Sequence, residues 1–574
     1  MTRLFNDPAA FADEMIEGFV AASSRWVRPV AGGVVRRAPA PAGSVAVVIG
    51  GGSGHYPAFA GLVGDGLAHG AAMGNLFASP SAQQVHAVAA AAESGGGVLL
   101  TYGNYAGDVL NFDQAQERLR SEGIACETVT VTDDISSAPA ADRARRRGIA
   151  GDLAVFKAAS AAADAGYDLA DVARVARTAN ERTRSFGVAF SGCTLPGADE
   201  PLFTVPEGRM AIGLGIHGEP GIGEADLPSA DELALLFVDA LLGEMPDGVE
   251  AEGSRAAVIL NGLGSVKYEE LFVVYRRVAL LLAERGVTIV EPEVGELCTS
   301  FDMAGASLTL FWLDDELERL WRAPADAPGY SKRHHDIAGQ ADAAVADVEA
   351  VIPPAAPASV AAAATAGRAI AAIAAVVDEH AEELGRIDAV AGDGDHGIGM
   401  QRGAGAANRE AAAVLARGAG LGTTLERAGD AWAARAGGTS GALWGVILRT
   451  VGTVLGDADR PTARAVAAAV TAASDAVRAF GKAELGDKTM VDVLVPFAES
   501  LAGRAATEPL AAAWAGAAAD AREAAAATAD LLPRIGRARP HAEKSLGTPD
   551  AGAASLALIA TAVAEVLDQE GSGA

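Results

Sequence analysis

Cysteine is scarce in this chain and basic residues are outnumbered. Its 574 residues include three cysteines, Cys126, Cys193 and Cys298, widely spaced and odd in number. That excludes a disulfide framework and a CxxC metal pattern, and makes a reducing cytoplasm the natural setting. Lys plus Arg number 45 against 74 Asp plus Glu, a net charge of −29. Such a surface repels nucleic-acid backbones and anionic lipid, so neither is expected as a partner. A phosphate ligand must then be received locally, by a metal ion or by backbone amides. Long apolar runs are also missing. The uncharged stretch 44–63 is broken by Gly50, Gly51, Gly52, Gly54 and Pro57, which argues against a membrane span, and the acid-bearing first fifteen residues lack the apolar core of a signal peptide.

What is present is enough apolar sequence for a folded chain, half of the total, and too much length for a single core. Residues 8–22 read as a helix. Residues 45–49 (VAVVI) run directly into GGGSGHYP, read as the strand, glycine turn and helix start of an α/β unit. Strand-like runs at 98–102 and 127–131, separated by helical patterns such as 81–92, predict a mostly parallel sheet covered by helices. After a helix-rich passage at 154–179, runs at 188–190, 210–213, 257–261 and 287–290 predict a second α/β segment. The expected organisation is therefore two α/β lobes, 1–185 and 186–325, an Ala/Pro-rich linker at 326–357, and an all-α domain at 358–574. Helical patterns in that domain cover 360–384, 403–416, 425–436, 464–480, 489–501, 510–527 and 551–567, with no fixed repeat.

The densest chemistry lies in DAVAGDGDHGIGM, residues 388–400. Asp388, Asp393 and Asp395 are too close together to lack a counter-ion, and hard oxygen ligands on a loop suit Mg²⁺ or Ca²⁺. The intervening glycines let backbone N–H groups approach an anion. GGTSGALWG (437–445) and GDKTMVDVLVP (486–496) place glycines and hydroxyls at helix starts, where free N–H groups and the dipole favour phosphate. Singly each is an ordinary helix N-cap, but several such ends beside a carboxylate triad suggest a metal-bound polyphosphate site. In the α/β half, the turn carrying His55 follows the first strand, at the sheet edge where ligands bind. Asp108, just beyond another strand, can face the same edge. His217, flanked by glycines in GLGIHGEPGIG, has little to pack against. An imidazole nitrogen can add to a carbonyl carbon, and His55 with Asp108 could exchange protons with a hydroxyl.

GGGSGHYP, FASPS, NYAGDVLNF, RRRGIAGD, GLGIHGEPG and SFDMAGASLTL, in this order, resemble the substrate half of dihydroxyacetone kinases. GDGDHG, GGTSG, GDKTM and the terminal GR and D-x-G resemble their nucleotide half. The resemblance spans almost the whole chain. It implies that the all-α domain is a helical barrel, that the enzyme uses ATP directly, and that it forms a homodimer through the α/β half. It further implies a covalent hemiaminal between His217 and a short ketose lined by Gly52, Ser53, Gly54 and His55, with His55 and Asp108 activating the terminal hydroxyl. Asp388, Asp393 and Asp395 would bind Mg²⁺ on the ATP phosphates. The nucleotide contacts it implies are His396, Gly397, Ile398, Gly399, Thr439, Ser440, Gly481, Met490, Arg537, Asp550, Ala551 and Gly552.

The chain departs from the family pattern where the substrate would sit. Tyr56 and Phe59 replace residues of GHEPAH, and Gly103 stands where a substrate-contacting lysine is usual. Losing a long cation removes a donor and opens space, which suits a ketose one carbon longer. GHYPAF and GNLFASPS are similar to kinases acting on erythrulose, so erythrulose, giving erythrulose 4-phosphate, is expected ahead of dihydroxyacetone (glycerone). Ala551 replaces a usual proline, with an expected effect on loop stiffness alone. Two other readings are cleavage of FAD to a cyclic flavin phosphate, as an FAD-AMP lyase side activity of the nucleotide half, and a non-catalytic ketose sensor, against which the carboxylate triad speaks.

Overall fold

The structure is a computed structural model that describes residues 4–333, 351–535 and 539–572. The chain forms two compact units, 1–341 and 342–574.

In the first unit, runs of small and β-branched residues without polar alternation make strands buried on both faces. Strands β1 (Val27–Val30), β2 (Gly33–Arg36), β3 (Ala46–Ser53), β4 (Gly70–Leu76), β5 (Val98–Gly103) and β6 (Cys126–Val131) form one sheet in the order β1-β2-β4-β3-β5-β6. Its β4-β3-β5-β6 portion is parallel, and the antiparallel β1–β2 hairpin joins at β4. Helices α1 (Phe11–Ala22), α2 (Ala82–Ala92) and α3 (Ala106–Ser121) belong to this lobe. Ser81 and Gln84 cap α2 reciprocally, each side chain accepting the other residue's backbone N–H, which fixes where that helix starts.

The second sheet contains β7 (Thr183–Ala189), β8 (Arg209–Ile212), β9 (Gly223–Asp226), β10 (Arg255–Gly262), β11 (Thr288–Ile289), β12 (Glu293–Gly295) and β13 (Gly305–Leu313), ordered β11-β10-β13-β7-β8-β9 with β12 also on β10. Between the lobes in sequence lie α4 (Asp152–Asp164) and α5 (Leu169–Glu181), and α6 (Ala230–Leu242), α7 (Tyr268–Glu284) and α8 (Asp315–Trp321) follow. Every residue of α4 except the last is buried. Val47 and Ile49 of β3, the apolar residues of α4, and Ala257 and Ile259 of β10 belong to one continuous core, so the two sheets are held by the same packed helix.

One expectation is corrected here. No α-helix follows GGGSGH: β3 continues through Gly50–Ser53, a single 3₁₀ turn forms at Ala60–Leu62, and the chain then enters β4, whose Gly- and Ala-rich sequence carries little strand signal. The second sheet is antiparallel from β10 through β13, β7 and β8 to β9, while β11 and β12 pair parallel with β10. The expected linker overlaps a short hairpin, Ala325–Ala327 with Tyr330–Lys332, and residues 334–350, outside those described.

The second unit is all helix among the described residues: α9 (Pro357–Glu379), α10 (Ala381–Asp388), α11 (His396–Ala416), α12 (Leu421–Ala436), α13 (Gly438–Leu455), α14 (Ala463–Gly481), α15 (Val491–Arg504), α16 (Leu510–Ala527) and α17 (Ala551–Ser572). From α11 to α17 each helix packs on the next, and α9 packs on both α17 and α11, closing a ring around one apolar core. Short connections force antiparallel neighbours, so α11, α13 and α15 all begin at one end. The Asp550 backbone N–H donates to Thr528 Oγ1 at 2.9 Å, which starts α17 where α16 finishes, at that same end. By length and composition α9 and α17 could cross a membrane, and here both are staves of the ring.

Helix α13 is absent from the helical patterns read in the sequence, because Gly438, Gly441, Gly445 and Gly452 depress its propensity. The same glycines explain its packing. A Cβ on Gly445 would lie 2.8 Å from that of Ala433, and one on Gly452 would lie 2.7 Å from the Gly422 carbonyl oxygen. The α12 and α13 backbones therefore meet with no side chain between them. Gly452→Val, pressed against a backbone atom that cannot yield, is expected to destabilise the helical unit by about 1–3 kcal/mol. Differential scanning calorimetry of the full chain should show a lowered transition, and an unchanged midpoint would contradict this packing.

Candidate active site

In the first unit, two loops bring two histidines together. His55 follows β3, and His217 sits in the loop after β8. His55 is buried, and its Nδ1 lies 2.7 Å from the Thr299 carbonyl oxygen. That oxygen only accepts, so Nδ1 carries the hydrogen and Nε2 presents a lone pair. His55 Nε2 is 3.0 Å from Nε2 of His217, whose Nδ1 is 3.0 Å from Glu219 Oε1. Burial, reinforced by the charge of His217, pulls the His55 pKa down to about 3, so its imidazole stays neutral. Phe77 stacks on His55 with centroids 4.9 Å apart, while Phe77 and Tyr105 stand perpendicular to His217 at 5.2 and 4.7 Å.

The glycines of GGGSGH are dictated by these rings. A Cβ on Gly54, at φ +105°, would come within 2.8 Å of the Phe77 ring, and one on Gly51 within 2.3 Å of Phe59. A Cβ on Gly52 would lie 2.7 Å from the Ala78 backbone nitrogen. Ser53 gives its hydroxyl hydrogen to the Gly74 carbonyl at 2.6 Å, which ties β3 to β4. Tyr56 is half-exposed, with its ring 6.2 Å from that of Phe19.

Asp108 lies buried in the first turn of α3. Burial outweighs a hydrogen bond from Ser79 and the charge of His217 to push its pKa up to about 6, and Oδ1 has no hydrogen-bond partner among the described residues. Gly103 ends β5. A Cβ there would stand 3.2 Å from the Tyr105 ring, 3.3 Å from the Gly148 oxygen and 3.4 Å from Asp152 Oδ2. Burial, with the charges of Asp133 and Asp108 behind it, holds the Asp152 pKa well above the usual carboxylate range.

In the helical unit, carboxylate oxygens of Asp388, Asp393 and Asp395 lie within 4.8 Å of one another. An all-oxygen set on a loop fits a hard cation such as Mg²⁺. The loop is shaped around Asp388: its Oδ2 accepts the Gly394 N–H at 2.8 Å, Gly394 adopts φ +78°, and a Cβ on Gly392 would stand 2.5 Å from Oδ1. At the same end of the ring, Thr489 Oγ1 accepts the first N–H of α15, from Val491, at 3.2 Å, whereas α11 and α13 begin with no side chain accepting from theirs. Those donors are a ready receptor for phosphate.

His396, Gly397, Ile398 and Gly399 form the first turn of α11. His396 Nε2 is 3.1 Å from Ser555 Oγ and its Nδ1 is 3.4 Å from Ser440 Oγ. A Cβ on Gly397 would be 1.9 Å from the Ala381 oxygen, and Ile398 is exposed. Thr439 and Ser440 open α13, Gly481 ends α14, and buried Met490 precedes α15. Asp550 accepts the Ala553 N–H at 2.8 Å, at the start of α17 with Ala551 and Gly552, and burial pushes its pKa up to about 6. The ring thus gathers these residues at one end. Arg537 lies outside the described residues. The Lys488 ammonium donates to the Leu531 and Ser545 carbonyls at 3.1 and 2.7 Å.

Sequence reasoning missed Glu219, Phe77, Tyr105 and Thr299. The first three sit inside the quoted motifs, whereas Thr299 acts through its backbone carbonyl, which no side-chain pattern can reveal.

An α/β unit that sets a histidine pair at loop ends, joined in one chain to a helical ring with a carboxylate triad and uncapped helix starts, is the arrangement of a two-part kinase. A Dak1 domain matches residues 17–329 and a DAK2 domain residues 390–565. The chain belongs to the dihydroxyacetone kinase family. It is 64% identical to an L-erythrulose kinase of Pectobacterium atrosepticum, over 99% of this chain and 97% of that one, and 57% identical to a D-erythrulose kinase of Mycolicibacterium smegmatis, over 98% of each. The crystal structure of the dihydroxyacetone kinase from C. freundii in complex with AMP-PNP and Mg²⁺ is similar, with 31% identity, a TM-score of 0.57, and coverage of 98% of this chain and 99% of that one.

The environment of Asp108 is directly measurable. In NMR titration of carboxyl-labelled protein, one resonance, lost in Asp108→Asn, should titrate with a midpoint near 6. A midpoint at the ordinary value of about 3.9 would show that the carboxyl is solvated.

Proposed function

We propose that this protein transfers the γ-phosphoryl group of ATP to a terminal hydroxyl of erythrulose, held by its carbonyl as a hemiaminal on His217, and releases erythrulose 4-phosphate. At the coarser level the chain is an ATP-dependent sugar kinase that uses Mg²⁺. The observation that carries the finer reading is the half-buried contact between Nε2 of His55 and Nε2 of His217 at 3.0 Å. An imidazole nitrogen facing a neutral proton acceptor, walled by Phe77 and Tyr105, is equipped to add to a carbonyl. Only a carbonyl compound is captured this way, so the chemistry itself selects a ketose over a polyol.

Asp108, ionised above about pH 6, is the base for the terminal hydroxyl. Gly103 removes from beside Tyr105 and Asp152 the cationic side chain that the family pattern carries there, which supports a ketose one carbon longer. The relatives at 64% and 57% identity carry the names of L- and D-erythrulose kinases, which supports erythrulose without choosing its hand. In the helical unit, Asp388, Asp393 and Asp395 would hold Mg²⁺, and the uncapped starts of α11 and α13 would receive the nucleotide phosphates. Bound Mg²⁺ neutralises charge on the transferring phosphoryl group. Homodimerisation through the α/β unit is part of this reading. The half-exposed Tyr268, Phe272, Val273 and Leu280 of α7 support it, as an apolar surface on a chain otherwise rich in charge.

An ADP-release assay with Mg-ATP, run on D-erythrulose, L-erythrulose, dihydroxyacetone and glyceraldehyde, tests the substrate. Higher kcat/KM for one erythrulose is expected, and a preference for dihydroxyacetone would refute the role given to Gly103. For the nucleotide site, Asp393→Asn combined with Asp395→Asn should abolish Mg-ATP binding in calorimetry while ketose capture persists. Retained ATP affinity would remove these carboxylates from the metal site.

A further inference from the structure

We infer that Glu219, braced by Arg147, is a positioning residue that fixes the ring of His217 and balances the cation that this ring carries when a ketose carbonyl adds to it. The inference rests on the hemiaminal reading above.

The carboxylate grips its own loop twice. Oε1 lies 3.0 Å from Nδ1 of His217, and Oε2 accepts the His217 backbone N–H at 3.1 Å. One side chain thereby sets both the ring's rotation and the backbone beneath it. The loop is built for this. Gly218, at φ +85°, reverses the chain between the two residues, and a Cβ there would strike the Phe203 ring at 2.3 Å. A Cβ on Gly215 would fall 2.0 Å from Glu219 Oε2 and 2.5 Å from Arg147 Nη1, so the carboxylate and its guanidinium neighbour occupy room that only glycine leaves. Arg147 Nη1 is 3.8 Å from Glu219 Oε2, and its Nη2 is anchored 2.9 Å from Asp134 Oδ2 and 3.2 Å from the Gly213 oxygen. The brace thus comes from the loop after β6, in the other lobe. Burial alone would push the Glu219 pKa up, but the hydrogen bond from His217 and the charge on its ring hold it down at about 2.

The chemistry needs such a partner. With Nδ1–H donated to Glu219, Nε2 is the nitrogen left to react, and its contact with the His55 lone pair requires one proton between the two atoms. In the addition, that proton passes by way of His55 to the carbonyl oxygen. The Nε2 electron pair forms the bond to carbon, and the C=O π pair becomes the lone pair that receives the proton. The ring keeps its Nδ1–H and one positive charge throughout, and Glu219 faces that charge before and after the step. This is the role of the orienting acid in a nucleophile–base–acid array, applied here to the nucleophile itself.

The test uses the full chain without ATP and dihydroxyacetone labelled with ¹³C at the carbonyl. NMR reads the fraction of ketose converted to adduct, and ¹⁵N-histidine labelling reads the Nδ1–H of His217. Glu219→Gln should weaken adduct formation about tenfold or more, shift or abolish the Nδ1–H signal, and leave the KM for ATP unchanged. Wild-type adduct and an unmoved signal would overturn the inference. His217→Ala run alongside separates the layers: if it too forms adduct, the hemiaminal reading itself fails. Should Glu219→Gln lose its fold by circular dichroism, Glu219→Asp carries the test, because it keeps the charge but withdraws it from Nδ1. The same loss of adduct is expected there, and wild-type adduct would again refute the role.

Discussion

The first unit is organised around one contact that its two sheets can make only together, the 3.0 Å approach of His55 Nε2 to His217 Nε2. His55 arrives from a parallel sheet and His217 from an antiparallel one. Neither loop could hold its ring at that distance without the common core of β3, α4 and β10. The lobes are also stitched close to the histidines: the Ser185 N–H of β7 donates to the Asp133 oxygen and the Ile135 N–H to the Ser185 oxygen, at 2.8 and 3.0 Å. Asp133 in turn accepts from Ile149 and Gly151, both at 2.9 Å, fixing the turn from which Arg147 projects. Precision at the rings is thus a consequence of packing some distance away.

The helical unit solves a different problem. A chain with net charge −29 must welcome a polyanion, and it does so without a surplus of basic side chains. Alternating helices in a closed ring point the positive ends of four dipoles the same way, and the carboxylate loop gathers three hard oxygen donors at that end. Even the lysine of GDKTM spends its charge on the Leu531 and Ser545 carbonyls. On the proposed reading, backbone amides and a hard cation do what Lys and Arg do in a basic protein.

Much of this was legible in the sequence because both sites are built from contiguous motifs. DGDHG encodes a loop whose glycines exist to let Asp388 fold back on the backbone, and GGGSGH encodes a strand end pressed by aromatic rings. The parts that were not legible depend on partners distant in sequence. Helix α13 looks like a loop because its glycines serve the packing of α12. Strand β13, the longest of the second sheet, is buried on both faces and so lacks the alternation that marks a strand. Thr299 fixes the His55 tautomer with a carbonyl group, and every residue has one.

The departures from the family pattern fall where the physical cost is small. A lysine usual at position 103 would bring a cation beside Asp152, and its loss ought to strand a buried negative charge, which is costly in a low-dielectric site. Burial and the neighbouring carboxylates instead hold the Asp152 pKa well above the usual carboxylate range, which lessens that cost. Exchanging a lysine for a glycine there takes a cation and its hydrogen-bond donors away from Asp152. A substitution that looks like a loss in the sequence thus fits the proposed longer, hydroxyl-rich ketose through the donor it removes, since a Cβ at Gly103 already stands 3.2 Å from the Tyr105 ring.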